Sequence, residues 1–176
     1  MIESLKQRFA HYIIHRNILS KNIASASYNK ILSDASDFFI IMPSADEDFY
    51  HSMDILKYFQ IHKKVITLFV PAHKYNLIPE KEKYKFLSFL PTHISRLYLP
   101  RKNMASVLSQ KEFDAVIDLN RTTNIFFSAV SNIVKSKVRV SFKKNQSEEY
   151  YNLIIDSKNQ EPELAYRNFL SYLRMF

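Results

Sequence analysis

Three short polar clusters carry the reactive side chains of this 176-residue chain. The first is Asp46, Glu47 and Asp48. The second is His73, Lys74 and Tyr75. The third is Asn120, Arg121, Thr122 and Thr123. A carboxylate from the first, beside cations and hydroxyls from the others, is the set needed to deprotonate an alcohol and hold an anion. In that chemistry Asp48 is the candidate general base. Asp46, Glu47, His73, Lys74, Asn120, Arg121 and Thr122 are the candidate ligand-binding residues. The same residues have structural uses, which the patterns alone favour. Acidic side chains at 46–48 suit a helix N-terminus electrostatically, and Asn or Thr caps a following helix.

Each cluster follows an apolar run that reads as a strand. Residues 38–42 are apolar on both faces, as a central parallel strand should be, and Pro43 ends them. A helix follows to about residue 60, with Asp46 or Ser44 as its N-cap and Phe49, Met53, Leu56 and Tyr58 or Phe59 facing inward. Residues 65–70 form the second strand, closed by Pro71. Residues 72–92 hold Pro79, a charged run and the apolar piece 86–90, read as a helix over one sheet edge. Residues 93–99 are the expected third strand, and 103–110 a short helix capped by Asn103. Strands at 115–119, 138–142 and 150–155 follow, with helices at 125–134 and 161–175. Pro162 suits the first turn of the last helix.

Alternating strands and helices predict an α/β fold. The expected form is a single Rossmann-like three-layer domain over 37–176, with about six mostly parallel strands. Residues 1–36 are an added N-terminal helix and lead-in, with 20–36 a loop or short helix. Strand ends are the ligand side of such a sheet, so all three clusters fall on one rim.

Composition removes several classes of function. There is no cysteine, so no disulfide and no thiolate metal site. There is no glycine, where average usage would give roughly 12. Walker A and G-x-G-x-x-G loops are therefore excluded, as is a Gly-flanked nucleophile elbow. Positive-φ turns must fall to other residues, Asn or Asp being expected. The 14 Phe and 11 Tyr lie mostly in predicted strands and helix stripes, so core packing is their expected use rather than base stacking. No cofactor is assigned.

The net charge is +8, spread along the chain. Such a balance suits nucleic acid, anionic lipid or phosphorylated ligands, or simply a solvated surface. Residues 2–19 read as a basic amphipathic helix with Ile2, Leu5, Phe9, Tyr12 and Ile13 in one stripe. A helix of this kind can lie on a membrane, but packing of the stripe on its own domain is the first expectation. His11 and His15 have the i, i+4 spacing of a metal pair. The Glu of H-E-x-x-H is missing, and no metal site is assigned. No apolar run approaches the roughly 18 residues of a transmembrane helix, and the first residues lack a signal peptide's apolar core. A cytoplasmic location is expected, peripheral at the inner membrane face if residues 2–19 bind lipid.

Several segments resemble a known family. Residues 39–59 resemble the opening of the bacterial heptosyltransferase-like family 9 glycosyltransferases, which have the glycosyltransferase-B fold. Glu47-Asp48 stands in the place of their Gly-Asp pair, and Asp54-Ile55-Leu56 in that of Pro-Leu-Leu. Val65 to Pro71 is similar to their second strand. Phe113-Asp114-Ala115-Val116-Ile117-Asp118-Leu119 looks like their Tyr/Phe-Asp-x-x-Ile-Asp-Leu segment. Ser128-Ala129 looks like their later Ser-x piece, and Val138 to Phe142 like Arg-Ile-Gly-Phe, with Ser141 where Gly is usual. The likeness covers residues 38–155 and only the acceptor-side half of that family. The chain is also similar to short bacterial single-domain proteins ending in a Tyr-Tyr-Asn-Leu-Ile-Ile-Asp-like strand and a helix.

The resemblance implies that Asp48 occupies the place of a general base. It also implies a sugar or phosphorylated acceptor as ligand. The leading expectation is a non-catalytic glycosyltransferase-like half-domain used in binding or assembly, with homodimerisation as one form of it. The alternative is the acceptor-binding subunit of a split glycosyltransferase in cell-envelope sugar synthesis, partnered by a separate donor-binding chain. A further alternative is a basic binder of membrane surface or nucleic acid through residues 2–19, nucleic acid being the less favoured. With Glu47 where a ligand-approaching Gly would stand, Asp48 reads as a helix-start carboxylate before it reads as a base.

Overall fold

The continuous apolar runs become the inner strands of one sheet. In the computed structural model, which describes residues 2–19, 28–157 and 161–175, β1 is Asp37–Ile41 and β2 Val65–Pro71. The remaining strands are β3 Lys85–Phe89, β4 Glu112–Asp118, β5 Lys135–Phe142 and β6 Leu153–Ile155. The order is β3-β2-β1-β4-β5-β6 and every pairing is parallel. This is a Rossmann-like α/β domain, and the strand order reverses between β1 and β4.

Strand geometry explains why β1 is apolar from Phe38 onward. Successive side chains point to opposite faces. Phe38, Ile40 and Met42 enter one core with Leu56, Phe59 and Phe169. Phe39 and Ile41 enter the other, with Phe69, Phe113 and Phe126. The helices on the first face include α4, Met53–Ile61, and α8, Pro162–Leu173. On the second face they are α5, Lys102–Ser109, and α6, Ile125–Ile133. Aromatic rings tie strand to helix on both sides: Phe38 and Phe59 centroids lie 4.5 Å apart, Phe142 and Phe169 4.6 Å, and Phe89 and Phe126 5.1 Å.

Several expectations are corrected. The third strand is Lys85–Phe89, where an edge helix was expected. Residues 93–99 instead follow from a 3-10 turn, Pro91–His93, into a tight loop closed by the Ile94–Pro100 bridge. Ser95 N–H donates to Leu99 O at 2.8 Å, and Tyr98 adopts φ 58°. The single helix expected after β1 is two: α3, Asp46–His51, and α4, meeting at Ser52. The buried Ser52 hydroxyl donates to Phe49 O at 2.7 Å, the local competition that bends helices. The N-cap of α3 is Ala45, with no side-chain cap, rather than Ser44 or Asp46. The cap of α5 is Arg101, not Asn103. Tyr150 ends the short helix α7, Ser147–Tyr150, and does not open the last strand.

The N-terminal helix α1, Ile2–Asn17, presents a different face from the one expected. Ala10 and Ile14 are fully buried against Ile125 and Ala129 of α6 and against Tyr150. Leu5, Phe9 and Tyr12, read as its inward stripe, face solvent. Helix α2, Tyr28–Asp34, leads into β1 and places Leu32 in the sheet core. Part of the stretch 20–36, residues 20–27, lies outside the described residues.

Positive φ falls on Lys63, Glu80, Tyr98 and Gln146 among the described residues. None is the Asn or Asp expected to replace glycine. Lys63 shows why. It ends α4 in a Schellman arrangement, with Lys63 N–H donating to Gln60 O and Lys64 N–H to Phe59 O. Those bonds set the backbone whatever the side chain.

Candidate functional site

The crevice between the carboxyl ends of β1 and β4 is where an open α/β sheet takes ligands. Parallel register brings Ile41 beside Asp118 there. The chain turns away from β1 through Met42–Ala45 into α3, and from β4 through Leu119–Asn124 into α6. Two of the three polar clusters therefore meet at this point, and the loop after β2 reaches it from the side.

Asp48 and Arg121 close the crevice. Arg121 Nε donates to Asp48 Oδ1 at 2.6 Å. The Asp48 side chain is 7% exposed and that of Arg121 26%. Asn120 stitches the two loops together. Its Oδ1 accepts from Ser44 N–H at 3.0 Å, and its Nδ2 donates to Met42 O at 3.3 Å and to Asp118 Oδ1 at 2.8 Å. From α8, the Tyr166 hydroxyl donates to Leu119 O at 2.5 Å. Burial pushes that hydroxyl far above its usual range, so it stays a donor.

Lys74 is the second cation of the site. It stands in a 3-10 turn, Ala72–Leu77, and its side chain is only 2% exposed. Its Nζ donates to Ser44 O at 2.6 Å and pairs with Asp46 Oδ1 at 2.8 Å, 4.8 Å from the Phe49 ring centroid. Asp46 itself is 96% exposed. The hydrogen bond from Lys74, then its charge, lowers the Asp46 carboxyl from its ordinary value.

The clusters thus divide. Asp46, Asp48, Lys74, Asn120 and Arg121 form one network. Glu47, His73 and Thr122 stand exposed on its rim. Tyr75 turns away to stack edge-on with Phe86 at 4.7 Å, and the Thr123 hydroxyl donates to Asn145 O at 3.1 Å.

A second network, not read from the sequence, lies under the first. Asp118 is fully buried at the end of β4. Its Oδ2 pairs with Lys144 Nζ at 2.6 Å and accepts from the Tyr151 hydroxyl at 2.5 Å. Its Oδ1 accepts from Asn120 N–H at 3.0 Å. Lys144 also donates to Asn120 O at 3.0 Å. Burial, then the Asp118 charge, drives the Tyr151 hydroxyl well above its usual range. The signals in the sequence are an Asp ending an otherwise apolar run and its place in the Phe113–Leu119 segment, with no spacing rule to reach Lys144.

Further along the rim, a polar cavity of about 450 Å³ opens between α1 and the loops after β4 and β5. Gln7, His11, Tyr98, Asn124 and Gln146 are among its lining residues. His11 Nδ1 meets the Tyr150 hydroxyl, and His15 Nε2 pairs with Glu149 at 2.6 Å. The two histidines thus bond to different groups. Among the described residues no group of three His, Asp or Glu side chains gathers in a metal-like cluster. No helix among them is long and apolar enough to cross a membrane.

A family of unknown function, DUF6913, matches residues 6–176. The chain belongs to that family. No curated protein and no solved structure matches it. The DUF6913 match takes in residues 6–17 of α1 together with the whole sheet and all three polar clusters, so most of the N-terminal helix belongs to the family's pattern.

Proposed function

We propose that this DUF6913 chain is a non-catalytic binding or assembly domain built on a glycosyltransferase-like half-domain scaffold. The observation behind this reading is the closure of the β1–β4 crevice by the chain's own charges. A general base needs a lone pair that can reach a substrate hydroxyl at about 3 Å. Asp48 Oδ1 is held at 2.6 Å by Arg121, and the carboxylate is almost wholly buried. An anion clamp needs cations facing the ligand. Lys74 faces Ser44 O and Asp46, and Asn120 spends both ends of its amide on the two loops. These residues hold the strand-end loops in place, a structural use that leaves the outer surfaces for partners.

Nucleoside diphosphate release from UDP-, GDP- and ADP-sugars tests this reading. The chain is added to a host lysate, which would supply a separate donor-binding subunit. Wild-type and Asp48→Asn chains are expected to add nothing above the lysate alone. Release that wild type adds and Asp48→Asn abolishes would overturn the reading and install Asp48 as the base of a split transferase.

A further inference from the structure

Helix α1 carries two apolar faces, and among the described residues only one is used by the fold. Ala10 and Ile14 dock on α6 and Tyr150. On the opposite side Leu5, Phe9 and Tyr12 are 59%, 54% and 55% exposed. Their spacing of four and three residues puts them in one stripe, about 10 Å long at helical rise. The Phe9 and Tyr12 rings stack at 6.4 Å. Scattered exposed apolar residues need no explanation. Three contiguous ones on a single helix face mark an interaction surface.

The charges around the stripe have one sign. Arg8 and Arg16 are exposed beside it, and Lys6 lies along the same helix. Arg16 Nη1 donates to the Tyr12 hydroxyl at 3.1 Å, which holds the guanidinium over the stripe. Glu3 is the helix's only acidic residue. Of the groups on elements packed near α1, Glu149 pairs with His15 at 2.6 Å.

The geometry points to α1 as a docking element for an anionic lipid surface. Leu5 and Phe9 enter the boundary between headgroups and acyl chains, Tyr12 lies at headgroup level, and Arg8 and Arg16 meet lipid phosphates. Charge complementarity selects this occupant. A second copy would bring the same arginines against each other around a two-fold axis, which like charge opposes. A membrane with anionic headgroups supplies both the apolar layer and the counter-charge. The inference stands on α1 alone, apart from the crevice, so its failure and that of the non-catalytic reading are separate events.

Co-sedimentation of the full chain with vesicles tests it. Vesicles of phosphatidylcholine mixed with phosphatidylglycerol are expected to bind the chain at low salt, and pure phosphatidylcholine vesicles are not. Leu5→Ser/Phe9→Ser should lose about tenfold in affinity, and Arg8→Gln/Arg16→Gln about tenfold together with most of the salt dependence. All four side chains are exposed, so both variants should keep the wild-type melting temperature. Three results would overturn the inference. One is absence of binding to the anionic vesicles at low salt. Another is equal binding by Leu5→Ser/Phe9→Ser. The third is a dimer in sedimentation that this variant dissociates without any vesicle binding, which would assign the stripe to a second copy.

Discussion

Asp118 and Lys144, 26 positions apart in sequence, form an ion pair at 2.6 Å with the side chains 0% and 4% exposed. Removing one partner of such a pair strands the other charge in a low-dielectric site, which costs about 3–5 kcal/mol. Asp118→Ala should therefore destabilise the fold by about that much, since Lys144 would keep only neutral partners, the Asn120 carbonyl and the Tyr151 ring face. Lys144→Met in the Asp118→Ala background should recover part of the loss. Urea denaturation of the two single variants and the double variant reads this directly. Equal stability of Asp118→Ala and wild type would mean that the pair is not formed.

Lys63 offers the opposite test, a gain. It sits at φ 54° after α4, where glycine is the usual residue. A side chain in that region costs about 1–2 kcal/mol, offset in part by the greater freedom of glycine in the unfolded chain. Lys63→Gly should raise stability by about 0.5–1 kcal/mol. Lys63→Ala should leave it near wild type, because alanine keeps the same Cβ clash. Thermal melts of the two variants distinguish backbone strain from lost charge.

Acid sensitivity should centre on Asp114, below the start of β1. Its Oδ1 pairs with Lys137 at 2.7 Å, and its Oδ2 accepts from the backbone of Ser36 at 3.0 Å and of Asp37 at 3.2 Å. The bond from Lys137, then that from Ser36, holds the carboxyl far below its usual range. A carboxyl lowered by folding stabilises above its unfolded value of about 4, and that stability is lost as pH falls below it. Asp37 has the other sign. Burial raises its carboxyl, so stability is gained as it takes up a proton. Guanidinium melts between about pH 7 and 3 should show a flatter acid-side loss in Asp114→Asn and a steeper one in Asp37→Asn.

The architecture was legible because β1, β2 and β4 are apolar runs ended by Pro43, Pro71 and the polar stretch from Asn120. The third strand was not. Lys85–Phe89 is an edge strand with a charged first residue and a half-buried middle, so it lacks a core signature. Residues 93–99 look apolar enough for a strand, but Tyr98 in a left-handed conformation turns the chain back. The period of α1 marks it as a helix but does not show which of its two apolar faces docks. Its docking face uses Ala10 and Ile14, with Ile13 partly buried beside them, while Leu5, Phe9 and Tyr12 face outward. In the site, Asp48, Lys74 and Arg121 were picked out by residue type and position after strands. That Arg121 would be spent on Asp48 depends on a contact 73 residues apart. The Asp118, Lys144 and Tyr151 network was missed for the same reason.

Asp48 and Arg121 are partners in the fold. A double-mutant cycle measures that pairing most directly, with Asp48→Asn, Arg121→Gln and the double variant unfolded in urea. A structural ion pair that is mostly buried predicts a coupling of about 1–3 kcal/mol, with each single variant less stable than wild type. Additive effects, with coupling below about 0.3 kcal/mol, would contradict it, and a gain in stability on Asp48→Asn alone would mark Asp48 as a strained, functional carboxylate.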